Sequence, residues 1–137
     1  CAVKAASEEG YVAGGGTTLA YLASKGEVLD NLADKAKIFD RDIYTKGTQI
    51  LHKAMKKPFE QILVNAGIWD IPTEGNPNPN GDIPFEGKYS QGYNALTGEI
   101  VNMFDAGIID STKVVRCEIE YAANAAITFL TAGGAIC

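Results

Sequence analysis

The sequence predicts a mainly α fold, a multihelical bundle with one small β-hairpin. Three observations lead to this class. Apolar residues recur at three- and four-residue steps over 50–66, which gives a helix with one broad apolar face. Residues 112–131 have a similar spacing and form a second long helix. Strand patterning is short by comparison, and it predicts two strands within 88–97 around a turn at Asn94.

The remaining helices are short. Residues 2–9 are patterned as the end of a helix that stops at Gly10, and residues 17–25 form the next helix. A third stretch, 27–39, keeps helical spacing but is diluted by charged side chains. Together these segments leave little of the chain for sheet.

Several boundaries follow from residues with special backbone chemistry. Pro58 has no N–H, so it either kinks the helix or opens a second one at its first position. Residues 68–87 are rich in turn formers and predict a loop insertion. Residues 99–105 predict a helical turn, and either Asp110 or Ser111 caps the last helix.

Composition narrows the class of protein. With 137 residues, 46% of them hydrophobic and 21% charged, the chain is one globular domain or part of one. A net charge of −5 argues against nucleic acid as a partner. Three cysteines without a CxxC pair and one histidine argue against zinc and suit a reducing compartment. The uncharged stretch 121–137 holds too many polar residues and glycines for a membrane span. Since the sequence lacks an initiator Met and starts within a helical pattern, we expect a piece of a longer protein.

The most telling local feature is the run of three glycines, Gly14, Gly15 and Gly16. Packing of a buried core gives no reason for three such residues in a row, whereas close approach of a ligand or positive φ does. The helix that follows would present free N–H groups to an anion such as phosphate. The run fits neither the Walker loop nor the dinucleotide fingerprint, so a ligand loop and a plain helix–loop–helix corner both remain open.

Other segments resemble a known family when they are taken together with the glycine run. Their order and spacing are similar to those of the group I chaperonins, the GroEL family, in the C-terminal half of the nucleotide-binding equatorial domain. The resemblance extends from about residue 2 to about residue 131. It rests on Ala13-Gly14-Gly15-Gly16-Thr17, residues 53–62, Gly92-Tyr93-Asn94-Ala95 and Gly107-Ile108-Ile109-Asp110.

The resemblance implies the adenosine side of an ATP pocket. The backbone of Gly15 would lie against the nucleotide, Asn94 and Ala95 would border the adenine, and Ile108 would cover the apolar face of the base. Asp110 would accept hydrogen bonds from the ribose hydroxyls. Judged from the residues alone, Asn94 is equally suited to a turn and Asp110 to a helix N-cap. We expect Gly15, Asn94 and Asp110 to converge within about one nucleotide's length.

The same resemblance implies ATP or ADP as cofactor, with Mg²⁺ and the phosphates bound by parts of the parent protein outside this chain. The aspartate that activates water would also lie outside it, so we assign no catalytic or metal-binding residue here. The parent protein would be an ATPase, and these residues alone would not hydrolyse ATP. His52 is predicted on the solvent side of its helix, with no carboxylate to orient it as a base.

The implied function is that of a folding chaperone in the cytoplasm or an organelle matrix. Its partners would be further copies in a homo-oligomeric ring and unfolded polypeptide clients, with a co-chaperonin as a further candidate; no membrane partner is expected. Residues 135–137 would be an interface strand, and the helices at 50–66 and 112–131 would leave an apolar patch uncovered. The alternative is a helical interaction module that keeps the scaffold without nucleotide hydrolysis.

Overall fold

The computed structural model describes residues 2–25, 40–68, 70 and 88–132. In this part of the chain the structure is mainly helical with short paired strands, which confirms the predicted class. Strand β1 pairs with β4, and β2 pairs with β3. The elements in chain order are α1 (Ala2–Glu9), β1 (Tyr11–Ala13), α2 (Thr17–Ser24), α3 (Arg41–Asn65), β2 (Gln91–Asn94), β3 (Glu99–Asn102), β4 (Ile109–Ser111) and α4 (Thr112–Thr131).

The chain divides into two compact units. The larger is Ala13–Ile109, and the smaller combines Cys1–Val12 with Asp110–Cys137. The predicted helix over 27–39, the predicted interface strand at 135–137 and nearly all of the predicted loop at 68–87 lie outside the described residues.

Helix α3 is one continuous helix of 25 residues. It begins after Asp40, whose carboxylate accepts a hydrogen bond from the Ile43 N–H at 3.1 Å and so satisfies one unpaired donor of the first turn. Pro58 lies inside the helix and does not open a second one. Of the two outcomes that the sequence left open, the structure therefore excludes a new helix start.

The core of the larger unit is built on a narrow stripe of α3. Phe59 and Leu63 are both 0% exposed, and they cluster with Ala20 of α2 and Tyr93 of β2. Met55 extends the stripe by one turn. These α3 residues recur every four positions, which aligns them along one side of the helix. The predicted helical periodicity is thus confirmed, and α2 supplies its partner surface.

Two predictions about the faces of α3 are wrong. Ile50 was expected on the apolar face, but it is 69% exposed because five residues before Met55 corresponds to a different side of the helix. His52 was expected in solvent, but it is half-buried, and its Nε2 is shielded from water without a partner among the described residues. His52 precedes Met55 by three positions, so it lies along the same stripe.

The hairpin is displaced relative to the prediction. Its strands pair Gln91 with Asn102 and Asn94 with Glu99, so residues 99–102 are strand and not a helical turn. Asn94 ends β2 instead of forming the centre of the turn. The turn closes where the Gly98 N–H donates to the Asn94 carbonyl at 2.8 Å, with Gly98 at φ 78°. The glycine four residues on was therefore the better turn signal.

In the smaller unit, ion pairs join α1 to α4. The Arg116 guanidinium binds both oxygens of Glu9, with Nη2–Oε1 at 2.7 Å and Nε–Oε2 at 3.1 Å. It also binds Glu120 at 2.8 Å, while Lys113 pairs with Glu8. The hydrogen bond from Arg116 lowers the pKa of Glu9, and the one to Glu8 raises the pKa of Lys113.

The boundaries of α1 and α4 agree with the sequence, but the burial of α4 is low. Helix α1 ends before Gly10, whose N–H donates to the Ala6 carbonyl at 2.8 Å. Ser111 occupies the N-cap position of α4 without a side-chain cap hydrogen bond. No residue of α4 within the described chain is buried, and Phe129 and Leu130 are 76% and 82% exposed. Apolar side chains of α4 are thus exposed, whereas Phe59 and Leu63 within 50–66 are buried, and the contiguous uncovered patch expected over both helices stays a prediction.

Candidate functional site

The three-glycine turn joins β1 to α2 and lies against the segment that leads into β4. The Gly14 N–H donates to the Ile108 carbonyl at 3.0 Å, and the Gly14 carbonyl accepts from the Thr17 N–H at 3.1 Å. Gly15 and Gly16 have φ values of 61° and 72°, so the predicted positive φ is confirmed at both. Within the larger unit, the turn is therefore held at both ends by backbone hydrogen bonds.

The packing around the turn corrects one expectation from the sequence. A Cβ placed on Gly14 would lie 3.0 Å from the Ile108 carbonyl oxygen, and one on Gly16 would lie 2.7 Å from the Phe59 backbone nitrogen. Close packing against the chain's own backbone therefore does require glycine at these two positions. The idea that core packing gives no reason for the run is wrong, because two other segments approach the turn within contact distance.

Gly15 is the member of the turn closest to two side chains. A Cβ built on Gly15 would lie 3.1 Å from Met103 Cε and 3.8 Å from Ile108 Cγ2. The structure thus brings together two of the predicted site residues, Gly15 and Ile108. The N–H groups of Gly15 and Gly16 have no acceptor among the described residues.

The start of α2 adds further polar groups beside the turn. Gly16 occupies its N-cap position and supplies no side-chain cap, so the first turn of the helix lacks a side-chain acceptor there. The Thr18 hydroxyl donates to the Ala13 carbonyl at 2.7 Å. Thr17 is 0% exposed, and its hydroxyl oxygen has no hydrogen-bond partner in the described structure.

The hairpin carries the two predicted adenine neighbours. Asn94 is half-buried, and its carboxamide oxygen accepts the Leu96 N–H at 3.0 Å; Ala95 is exposed in the turn that follows. The structure is compatible with Asn94 as a turn residue and as a neighbour of adenine. Its carboxamide oxygen serves the turn, while its NH₂ group has no hydrogen bond to the described residues. Gly92 anchors the hairpin, because a Cβ there would lie 2.1 Å from the Thr17 hydroxyl oxygen.

Asp110 belongs to the smaller unit, where it is an exposed residue of β4. Ser111, and not Asp110, is the N-cap residue of α4, so the interpretation of Asp110 as a cap is wrong. The convergence of Asp110 with Gly15 and Asn94 remains a prediction.

Comparison with known proteins decides the family. The sequence profile of the TCP-1/cpn60 chaperonin family matches residues 1–134. The chain belongs to this family. It is 43% identical over 129 residues to chaperonin 60 subunit beta 1, chloroplastic, of Arabidopsis thaliana, covering 94% of this chain and 20% of the relative. It is also 41% identical over 135 residues to the RuBisCO large subunit-binding protein subunit beta, chloroplastic, of Secale cereale, covering 95% of this chain and 24% of the relative.

The chaperonin chain therefore spans between a fifth and a quarter of the length of these curated relatives. The predicted membership of the group I chaperonins is confirmed. Among the described residues no group of three or more His, Cys, Asp or Glu side chains is placed to hold a metal ion. None of the described helices is long and apolar enough to cross a membrane.

One residue beside the glycine turn was missed from the sequence. Met103 is 0% exposed and touches the positions of both Gly15 and Gly92. The available signal was a pair of large apolar residues, Met103 and Phe104, between the polar residues Asn102 and Asp105. The pair has no periodicity of its own, because it lies in an irregular segment between β3 and β4.

Proposed function

We propose that this chain is the C-terminal part of the equatorial domain of an ATP-dependent, ring-forming folding chaperone. In this proposal it supplies the adenine and ribose side of the nucleotide pocket together with subunit contacts. The observation that carries the proposal is the position of Ile108 beside the glycine turn, where the N–H groups of Gly15 and Gly16 have no acceptor among the described residues. Family membership supports the folding role.

The donor and acceptor groups suit adenosine. Ile108 offers a stiff apolar surface for the base, and it lies beside the unpaired N–H groups of the glycine turn. The carboxamide oxygen of Asn94 is already engaged by Leu96, so its NH₂ group is the part left to meet a ring nitrogen of adenine. Asp110 would accept hydrogen bonds from the two ribose hydroxyls, since an exposed carboxylate has free lone pairs.

Mg²⁺ and the phosphates would be held by other parts of the subunit, together with the group that activates water. When bound, Mg²⁺ would neutralise charge that develops on the transferred phosphoryl group. The residues of this chain would orient the base and ribose through Ile108, Asn94 and Asp110. Bound nucleotide would then depend on this segment for affinity, while hydrolysis would depend on the whole subunit.

The proposed partners follow from the family. They are further copies of the subunit in a homo-oligomeric ring, unfolded polypeptides and a co-chaperonin. The exposed apolar residues of α4 are available for such contacts. One relative is named for binding the large subunit of RuBisCO, and the plant relatives are named as chloroplastic, which favours an organelle matrix over the cytoplasm for this chain.

The test compares two exposed carboxylates in the intact chaperonin subunit that carries this sequence. Asp110→Asn should raise the Kd for both ADP and adenosine about tenfold, because hydrogen bonds to a charged group contribute about 1.5–3 kcal/mol. Asp105→Asn removes an equally exposed charge from the turn after β3 and should leave both Kd values unchanged. Isothermal titration calorimetry measures each value.

Two outcomes would contradict the proposal. Equal effects of Asp110→Asn and Asp105→Asn on the two Kd values would show that Asp110 does not bind the ribose. An unsubstituted subunit that folds but binds neither ADP nor adenosine would favour the alternative, a helical interaction module without nucleotide function.

A further inference from the structure

Met103 connects the two parts of the larger unit that carry the proposed adenosine contacts. A Cβ on Gly15 would lie 3.1 Å from its Cε, and a Cβ on Gly92 would lie 2.9 Å from its Sδ and 3.0 Å from its Cγ. One side chain therefore occupies the space beside two glycines that are 77 positions apart (92 − 15) in the sequence. The first glycine is in the turn of the proposed site, and the second is in the strand that ends at Asn94.

The backbone of Met103 makes the same connection. Its N–H donates to the Ser90 carbonyl at 2.8 Å, just before β2, and its carbonyl accepts from the Ile108 N–H at 2.8 Å. Ile108 in turn accepts the Gly14 N–H. Through backbone and side chain together, this residue contacts the hairpin, the Ile108 segment and the glycine turn.

We propose that Met103 is a positioning residue that sets the separation between the glycine turn and the hairpin end at Asn94. The inference rests on the proposed function, because the positioned groups matter only if they bind adenosine. An unbranched thioether reaches further than leucine, and its terminal methyl is the atom that meets Gly15. Leucine would retain most of the buried apolar volume and the contact with Gly92, but it would lose the contact with Gly15.

The chain offers a matched control, since it contains two methionines. Met55 is 9% exposed on α3 and belongs to the stripe that packs the core. Replacing either methionine by alanine removes the same atoms from a buried position. A purely structural role for Met103 predicts equal effects of the two substitutions on nucleotide binding, whereas a positioning role predicts different effects.

The experiment uses the intact subunit and has two readouts. Met103→Ala should raise the Kd for ADP about tenfold and Met103→Leu about threefold, while Met55→Ala should change it less than twofold. Amide hydrogen exchange without nucleotide gives the second readout. Met103→Ala should speed exchange at Gly14 and Gly92 together, because the Gly14 N–H donates to Ile108 and Gly92 pairs with Val101 in the hairpin. Met55→Ala should leave both amides at the wild-type rate.

The two readouts separate failure of this inference from failure of the proposed function. Normal exchange at Gly14 and Gly92 in folded Met103→Ala, or equal Kd changes in the two alanine variants, would overturn the positioning role. If the unsubstituted subunit binds no ADP, the proposed function fails, and with it the role of Met103 in positioning adenosine contacts. Coupled exchange at the glycines would then report only a structural contact. Where Met103→Ala fails to fold, Met103→Leu supplies both readouts with the same expected directions.

Discussion

Helices α3 and α4 have similar apolar spacing in the sequence and opposite burial in the structure. Phe59 and Leu63 of α3 are 0% exposed, whereas α4 has no buried residue and Phe129 is 76% exposed. The difference arises because α2 and β2 cover the stripe on α3, whereas α4 forms ion pairs with α1 and has no buried residue. Apolar periodicity therefore predicts that a helix forms, but the presence of a partner decides how much of its face is buried.

The largest expected difference between the two helices comes from replacing one phenylalanine by alanine in each. Phe59→Ala should lower the free energy of unfolding by about 3–5 kcal/mol, because it leaves a cavity at the centre of the α2–α3 core. Phe129→Ala removes an exposed ring and should change the value by no more than about 0.5 kcal/mol. Urea unfolding followed by circular dichroism measures both. Comparable losses in the two variants would mean that Phe129 is covered.

A second comparison uses two glycines in different surroundings. Gly16→Ala should destabilise the chain by at least about 1–3 kcal/mol, since its φ of 72° is unfavourable for alanine and the new Cβ would lie 2.7 Å from the Phe59 nitrogen. Gly47→Ala lies inside α3 with no atom within 4 Å of the new Cβ. It should stabilise the chain by about 0.5–1 kcal/mol through helix propensity. The same urea assay applies, and a loss of stability in Gly47→Ala would contradict the open surroundings of that residue.

Much of the fold could be predicted from the sequence, and the errors have a common cause. The stop of α1 before Gly10 and the start of α4 at residue 112 follow from local chemistry, as does the long helix at 50–66. The hairpin was displaced because Asn94 and Gly98 are both good turn formers, and only cross-strand pairing chooses between them. His52 was placed in solvent because its local charge context does not reveal which side of α3 is covered.

The predictions for the candidate site divide in the same way, into local features that residue type reveals and contacts between distant residues that it does not. Positive φ at Gly15 could be predicted from residue type alone. The need for glycine at 14 and 16 could not, because it depends on Ile108 and Phe59, which are far away in the sequence. Met103 was missed for the same reason, since its significance comes from the absence of side chains at two distant glycines.

The smallest expected effect concerns the ion pairs of the smaller unit. The Arg116 hydrogen bond lowers the pKa of Glu9 below its ordinary value of 4.5. The unfolded state therefore binds more protons than the folded state in acid, and the stabilisation is present above about pH 4.5 and lost as the pH falls through the folded value. Arg116→Gln should slightly lower the thermal midpoint at pH 7 and leave it unchanged at pH 2, in low salt.

A matched control is available in the larger unit. Lys57→Gln removes the ion pair between the exposed Lys57 and the half-buried Glu60 within α3, so it should leave the contact between α1 and α4 intact. In 1 M salt the difference between the wild type and Arg116→Gln should shrink, because exposed charges are screened. An Arg116→Gln effect that persists at pH 2 or in 1 M salt would indicate that the aliphatic stem of the arginine, and not its charge, joins the helices.

The three-glycine turn also limits how this chaperonin segment can change during evolution. Position 14 is constrained by the Ile108 carbonyl, position 15 by Met103 and its own backbone conformation, and position 16 by the backbone of α3. A single second-site change can relieve only one of these constraints, and two of them are set by main-chain atoms that no substitution removes. Neutral drift through this turn is consequently blocked at each of the three positions.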